Sequence, residues 1–200
     1  MASGALLLAC GALARELVQL QRQNNWAHLK IQCLPAELHS TPDKIPGAVE
    51  DAIEQYREDY EHIYVAYGDC GTSGQLDKVL KKHGVERIPG AHCYEFFAGS
   101  SQFFNFADEE PGTFYLTDFM VRQFDHFVVK MLGLDRHPEL RDMYFGNYKR
   151  VVYLSQAPTE DLLRKARKQA EYLGLEYEEH FTGLGPVGTI LEEQEIKWRN

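Results

Sequence analysis

Short apolar runs alternate along the chain with longer segments whose apolar residues recur at helical spacing. Residues 13–23 place leucines at positions 13, 17 and 20, which fall on one face of a helix. Residues 62–67 form an aromatic and β-branched run between charged neighbours, which is typical of a buried strand. The same criteria predict seven strands, at 5–9, 29–32, 62–67, 85–88, 112–116, 150–154 and 175–181.

Helical segments separate these strands and carry recognisable end signals. Pro46 lies in the first turn of one helix, Gly84 closes another, and Thr117 and Asp118 can cap a third. The predicted helices are 13–23, 45–56, 74–82, 94–106 (as one helix or a helix pair), 119–132, 160–173 and one after Gly188. Alternating strands and helices predict an α/β fold of three layers around a mostly parallel, Rossmann-like sheet. We expect one domain over residues 1–200, with any division into sub-lobes near 133–147.

Composition narrows the classes of function. The chain is 44% hydrophobic and 26% charged, as in a soluble globular protein, and its net charge of −9 provides no basic surface for nucleic acid. The apolar run near the N-terminus is short and no Lys or Arg precedes it, so we expect neither a signal peptide nor a membrane span. In the cytoplasm, where we expect this protein, thiols stay reduced. Cysteines there favour metal binding or catalysis over disulfides.

The four cysteines occupy equivalent places in the pattern. Cys10, Cys33, Cys70 and Cys93 each follow one of the first four predicted strands. The carboxyl ends of parallel strands meet at one edge of the sheet, where ligands bind in open α/β folds. The sequence therefore predicts a metal or cluster site at this edge, because packing alone explains the coincidence poorly.

The Cys70 loop has the composition of a binding turn. Gly68, Asp69, Gly71 and Thr72 surround the cysteine, and the glycines allow backbone amides to point outward toward an anion or a thiolate. We therefore predict these four as cofactor-binding residues and Cys70 as a metal ligand. The alternatives are a phosphate loop or an ordinary strand-to-helix turn. A Walker loop is excluded because no Gly-Lys-Ser/Thr follows.

The remaining candidates differ in how readily packing explains them. Cys93 is a predicted ligand, unless it is simply buried in a capped turn. His92 is either a ligand or a donor that orients a ligand or protonates a substrate. Cys10 ends its strand, although free cysteine is often buried. Cys33 is as readily structural as ligating, so the predicted metal set is Cys10, Cys70 and Cys93 with Cys33 or His92.

Several known site types do not fit the spacing. Paired CxxC motifs are absent, which excludes a zinc ribbon and a ferredoxin-type cysteine run. No Gly-x-Ser-x-Gly nucleophile elbow is present. Three or four dispersed cysteines suit either zinc or an iron–sulfur cluster, and spacing does not choose between them.

Five segments of the chain resemble a bacterial and archaeal family catalogued as domain of unknown function number 1638. They are LACGALAREL (8–17), CLPAELHSTPDKIP (33–46), YGDCGTSGQLD (67–77), IPGAHCYEFFAGS (88–100) and PGTFYLTDF (111–119). Members of that family are similar to proteins encoded near corrinoid-dependent methyltransferases. The resemblance implies a role in one-carbon metabolism, with a corrinoid protein or methyltransferase as partner and a corrinoid reached through that partner.

Three hypotheses follow for the function. The first is a metal- or iron–sulfur-binding protein that serves corrinoid-dependent methyl transfer through a redox or activating role. The second is a zinc-dependent thiol methyltransferase, in which the ion lowers the pKa of an incoming thiol. The third is a non-enzymatic module that binds a small ligand or a partner, with the cysteines mainly buried as apolar groups.

Overall fold

The computed structural model describes residues 4–199 and divides into two compact units. The first contains the described residues up to Phe96 together with those from Pro186, and the second is Phe97–Gly185. The unit boundaries lie at 96/97 and 185/186, whereas the segment 133–147 falls inside the second unit. Each unit has its own sheet. That the two units together form a single domain stays a prediction.

The first unit is built on a four-stranded parallel sheet. Its strands are β1 (Ala5–Cys10), β2 (Leu29–Leu34), β3 (His62–Ala66) and β4 (Glu86–Arg87), in the order β2-β1-β3-β4. In register, Ala5 of β1 faces Leu29 of β2 and His62 of β3. All six residues of β1 are buried, as expected for a central strand covered on both faces.

Helices of the first unit cover both faces of this sheet. They are α1 (Ala14–Gln23), α2 (Ile45–Tyr56), α3 (Gln75–His83), the start of α4 (Cys93–Ala98) and most of α9 (Gly185–Arg199). Right-handed crossovers place α1 on one face and α2 with α3 on the other. On the α1 face, His28 Nε2 lies 2.7 Å from Glu195 Oε2 of α9. The ring of Trp198 stacks on His62 at 5.7 Å, which fixes α9 to the sheet.

The second unit repeats this construction on a smaller scale. Its strands β5 (Thr113–Thr117), β6 (Arg150–Ser155) and β7 (Glu176–Phe181) are parallel, in the order β5-β6-β7. Its helices are α5 (Ser100–Glu109), α6 (Asp118–Phe124), α7 (Leu140–Phe145) and α8 (Glu160–Leu173). The amide Nε2 of Gln169 donates to the carbonyl of Val121 at 2.8 Å, which joins α8 to α6.

A buried carboxylate braces the carboxyl end of β5. Asp118 is 1% exposed, and its oxygens accept hydrogen bonds from the Tyr153 hydroxyl at 2.6 Å and from the backbone amides of Gln156 at 3.1 Å and Ala157 at 3.0 Å. The preceding Thr117 caps α6, because its hydroxyl accepts from the amide of Met120. Asp118 thus ties β5 to the loop after β6, while Thr117 has the predicted capping role.

The structure confirms the α/β class with parallel, Rossmann-like layers. All seven predicted strands are present, but they form two sheets instead of one. The segment 94–106, predicted as one helix or a helix pair, forms the pair, with the division at Gly99, whose φ is 76°. The predicted helix 119–132 is α-helical to Phe124 and continues as a π-helix over Asp125–Lys130. Among the described residues, no helix is both long and apolar enough to cross a membrane.

Candidate functional site at the carboxyl edge of the first sheet

The candidate site lies where the chain reverses direction across the first sheet. After β1 the chain passes outward to β2 and then returns across β1 to β3 on its other side. In open α/β sheets this switch point leaves a crevice beyond the strand ends, where ligands bind. Cys10 is the last residue of β1, and Cys70 follows the end of β3 by four residues. Both flank the predicted crevice.

The loop after β3 is closed by one carboxylate. Asp69 accepts hydrogen bonds from the Thr72 hydroxyl and the Gly74 amide, both at 2.8 Å, and from the Ser73 amide at 3.1 Å. Burial would raise the pKa of Asp69, but these bonds outweigh it and hold that pKa below its usual value. Cys70 and Ser73 adopt left-handed φ angles of 49° and 53°. The loop is therefore tightly wound, with Cys70 at its bend.

This loop packs directly against the segment that carries the second thiol. The amide of Cys70 donates to the carbonyl of Ala91 at 2.8 Å. At Gly68 a β-carbon would lie 3.0 Å from the backbone N and C of His92, a contact that ordinary side chains do not make. Glycine is thus needed at position 68 for the two loops to approach.

In the structure, the four predicted cofactor-binding residues help to set the backbone conformation of this loop. Gly68 permits the close approach to His92, while Asp69 and Thr72 hydrogen bond to each other. Gly71 has a φ of 84°, and a β-carbon there would lie 3.5 Å from Pro42. Their part in holding a cofactor stays a prediction.

The turn before α4 is held by charged side chains. The buried carboxylate of Glu95 accepts from the Ala91 amide at 2.7 Å. Arg87 donates to the carbonyl of Gly90 at 3.2 Å while its guanidinium pairs with Asp77 at 2.6 Å. These contacts fix the turn that presents His92 and Cys93.

Two thiols meet at the centre of the site. The Sγ atoms of Cys70 and Cys93 lie 3.3 Å apart. The hydrogen bond from Cys93, followed by one from His92, lowers the pKa of Cys70 to about 5 against the opposing effect of burial. The same contact and burial raise the pKa of Cys93 well above its usual value. The contact therefore favours ionisation of Cys70 and disfavours ionisation of Cys93.

A third thiol borders the same space. Cys10 is 4% exposed, and burial raises its pKa to about 11. The hydroxyl of Tyr67 lies close enough to Cys10, Cys70 and Cys93 for each to affect its pKa, which burial raises most. This hydroxyl is also a hydrogen-bond partner of the Cys10 thiol. It therefore adds a polar group to the buried wall around the three thiols.

Cys33 and a histidine outside the predicted ligand set border this group. Cys33 is half-buried in β2, where its charge influences Cys10. His39, in the turn Ala36–Ser40, is coupled electrostatically to Cys70 and His92. Desolvation lowers the pKa of His39 although part of its surface faces solvent. The sequence signal was its position six residues after Cys33, in a loop containing two prolines.

The donor atoms are only partly assembled. In the described range 4–199, one set of three His, Cys, Asp or Glu donor atoms lies mutually within 4.8 Å: Glu50, Glu54 and His83. Glu50 is already paired with Lys82 at 2.7 Å and with His83 at 2.9 Å, and exposed acidic groups often cluster without an ion. The predicted cysteine set supplies instead one close thiol pair, with His92 bonded to Cys70.

A family model described as "Protein of unknown function (DUF1638)" matches residues 33–191 of the 200. The chain belongs to this family. The matched part of this DUF1638 protein includes Cys33, Cys70, His92 and Cys93, whereas Cys10 precedes it. No curated protein and no solved structure matches the chain. The thiol pair therefore lies inside the region that the family shares.

Proposed function

We propose that this DUF1638 protein binds a thiophilic metal ion at the crevice between β1 and β3. Cys70 and Cys93 would be the primary ligands, with Cys10 and His92 completing the set. The observation that carries the proposal is the 3.3 Å contact between two sulfurs at the switch point of a parallel sheet. Thiolate and imidazole are the donors that zinc and iron favour.

The spacing of the sulfurs supports a single ion over a four-iron cluster. Zinc–sulfur bonds of about 2.3 Å in tetrahedral geometry separate two sulfurs by about 3.8 Å. Cys70 and Cys93 would have to separate by only about 0.5 Å to reach that spacing. Cysteines that bind different irons of a cluster lie farther apart, so a cluster would require a larger opening of the pair.

The other residues around the crevice have distinct parts in this proposal. Cys10, with its pKa of about 11, would have to release a proton when it binds, so we expect metal affinity to fall as the pH is lowered. His92 is bonded to Cys70 and can either ligate or stabilise the thiolate. The Tyr67 hydroxyl, which lies beside Cys10, Cys70 and Cys93, can donate to a metal-bound sulfur.

We further propose that the site serves corrinoid-dependent methyl transfer in the cytoplasm. A bound metal would supply either Lewis acidity toward an incoming thiol or a one-electron couple. This chain's own residues would hold the ion, keep Cys70 ionised and exclude water with the buried wall around Tyr67. The thiolate-rich donor set supports either a zinc ion acting as a Lewis acid or an iron ion acting as a one-electron couple. Visible absorbance distinguishes them, because zinc is colourless, whereas an iron–thiolate centre absorbs visible light.

Anaerobic purification followed by metal analysis and visible spectroscopy tests the proposal. We expect stoichiometric zinc or iron in the wild type and in Cys33→Ser, which alters a cysteine outside the close group. Cys70→Ser and Cys93→Ser should each lose most of the metal while keeping the wild-type circular dichroism. Metal-free protein that also fails to bind added Zn²⁺ or Co²⁺ with all four thiols reduced would refute metal binding.

A further inference from the structure

We propose that Cys70 and Cys93 also form a redox-active dithiol that a low-molecular-weight disulfide converts into an intramolecular disulfide. This activity goes beyond metal binding and does not depend on it. It rests on the sulfur–sulfur contact and on the backbone that surrounds the two cysteines.

The two cysteines are close enough to bond after a small movement. A disulfide needs an S–S distance of about 2.05 Å, so the two sulfurs at 3.3 Å have to approach by about 1.2 Å. The backbones are already joined, since Asp69 N donates to Gly90 O at 3.0 Å and Cys70 N donates to Ala91 O at 2.8 Å. These bonds hold the Cys70 loop against the residues that precede Cys93. Closing the disulfide requires rotation of the two side chains, together with whatever shift of the loop the approach of the sulfurs demands.

The local backbone can absorb that rotation. Cys70 and Gly71 both have positive φ angles, of 49° and 84°, at the bend of the loop. Glycine populates this region freely, so small adjustments next to Cys70 cost little. As whole residues, Cys93 is partly exposed and Cys70 retains 8% of its surface.

The reaction is a two-step thiol–disulfide exchange. One cysteine thiolate attacks a sulfur of R–S–S–R, forms a protein–SR bond and displaces RS⁻, which takes up a proton. The second cysteine gives its proton to solvent and attacks the sulfur of the first cysteine in this mixed disulfide, which displaces the second RS⁻. The protein loses two thiol hydrogens and two electrons, and the reagent disulfide is reduced to two RSH. Whichever cysteine attacks the reagent first, its resolving partner lies 3.3 Å away.

The test uses the full chain, stripped of metal by a chelator and exposed anaerobically to glutathione disulfide. Thiols are counted after denaturation, and the linked peptides are identified by mass spectrometry without reduction. We expect two of the four thiols to be lost, a Cys70–Cys93 linkage, and full recovery with dithiothreitol. Cys33→Ser should form the same linkage and lose two of its three thiols.

Single variants of the pair show whether each cysteine resolves the other. Cys93→Ser should stop at a glutathione adduct on Cys70, and Cys70→Ser at an adduct on Cys93. Four thiols remaining in the wild type, a stable adduct that never closes, or a linkage to Cys10 would each overturn the inference. A parallel Zn²⁺ titration of the reduced protein separates the two proposals. Disulfide formation without zinc binding refutes only the proposed function, and zinc binding without disulfide formation refutes only the dithiol.

Discussion

Ionisation of the Cys70 thiol can be tested directly by titrating metal-free, reduced protein with base. The structure places the pKa of Cys70 at about 5, because Cys93 and then His92 donate hydrogen bonds to its sulfur. At about pH 7, this thiol should be about 99% ionised, whereas one at the ordinary value of 9.0 would be about 1% ionised.

The ultraviolet absorbance of thiolate measures this ionisation, because the other three cysteines stay protonated in the same range. Burial raises the pKa values of Cys10 and Cys33, and the contact with Cys70 raises that of Cys93. We therefore expect the amplitude of one thiolate per chain, with a midpoint at about pH 5. Cys70→Ser should abolish this transition.

Substitution of His92 tests whether its hydrogen bond helps to lower the pKa of Cys70. His92→Ala removes a donor to the Cys70 sulfur, so the midpoint should move to higher pH. His137→Ala, which alters an exposed histidine of the second unit, is the matched control and should leave it unchanged. A wild-type midpoint above about pH 8, or equal shifts in both variants, would contradict the electrostatic account of this site.

The ionisation of Cys70 also makes the free energy of unfolding depend on pH. The Cys70 pKa is lower in the folded state than the unfolded value of 9.0, so the unfolded chain binds the extra proton between those two pH values. The contribution of Cys70 to the free energy of unfolding is therefore complete above about pH 9 and is lost as the pH falls toward 5. Urea denaturation of the wild type and Cys70→Ser across this range measures the difference.

Two further pairs of substitutions test the packing inside each of the two units. Asp118→Ala strands four donors to a carboxylate that is 1% exposed, the fourth being Arg122 at 3.5 Å, and should lower the free energy of unfolding by about 3–5 kcal/mol in urea. Tyr153→Phe, which removes one of those donors, should cost about 1 kcal/mol, and equal losses would contradict the network. Gly68→Ala forces contacts of 3.0 Å and should lower stability by about 1–3 kcal/mol and weaken zinc binding in a calorimetric titration. Gly47→Ala, in an exposed helical position with nothing within 4 Å, is the matched control; helix propensity should raise its stability slightly, and its zinc binding should not change.

Elements with local end signals were predictable from the sequence. The helix Ile45–Tyr56 has its predicted bounds because Pro46 suits a first turn. The helix Glu160–Leu173 does so because Thr159 accepts from the amide of Leu162 and Gly174 adopts a φ of 76° after the last turn. These signals act within a few residues, so no tertiary information was needed.

Features that depend on distant contacts were not predictable in the same way. Strands 86–87 and 113–117 are both parallel neighbours of other strands, and nothing local indicates that they belong to different sheets. The placement of Cys70 and Cys93 at one edge was expected from topology. Their 3.3 Å contact, however, depends on the packing of Gly68 against the backbone of His92. The approach of His39 likewise follows from the path of a loop, which residue type does not specify.

The last helix has a consequence for the order in which the protein is made. Its residues from Pro186 onward belong to the first unit, where Glu195 pairs with His28 and Trp198 stacks on His62. During synthesis, the ribosome must therefore produce all of Phe97–Gly185 before the first unit can be completed. The nascent strands must therefore wait, with the α1 face of their sheet incompletely covered, until the last helix has been made and can close the layer behind the thiol-bearing sheet.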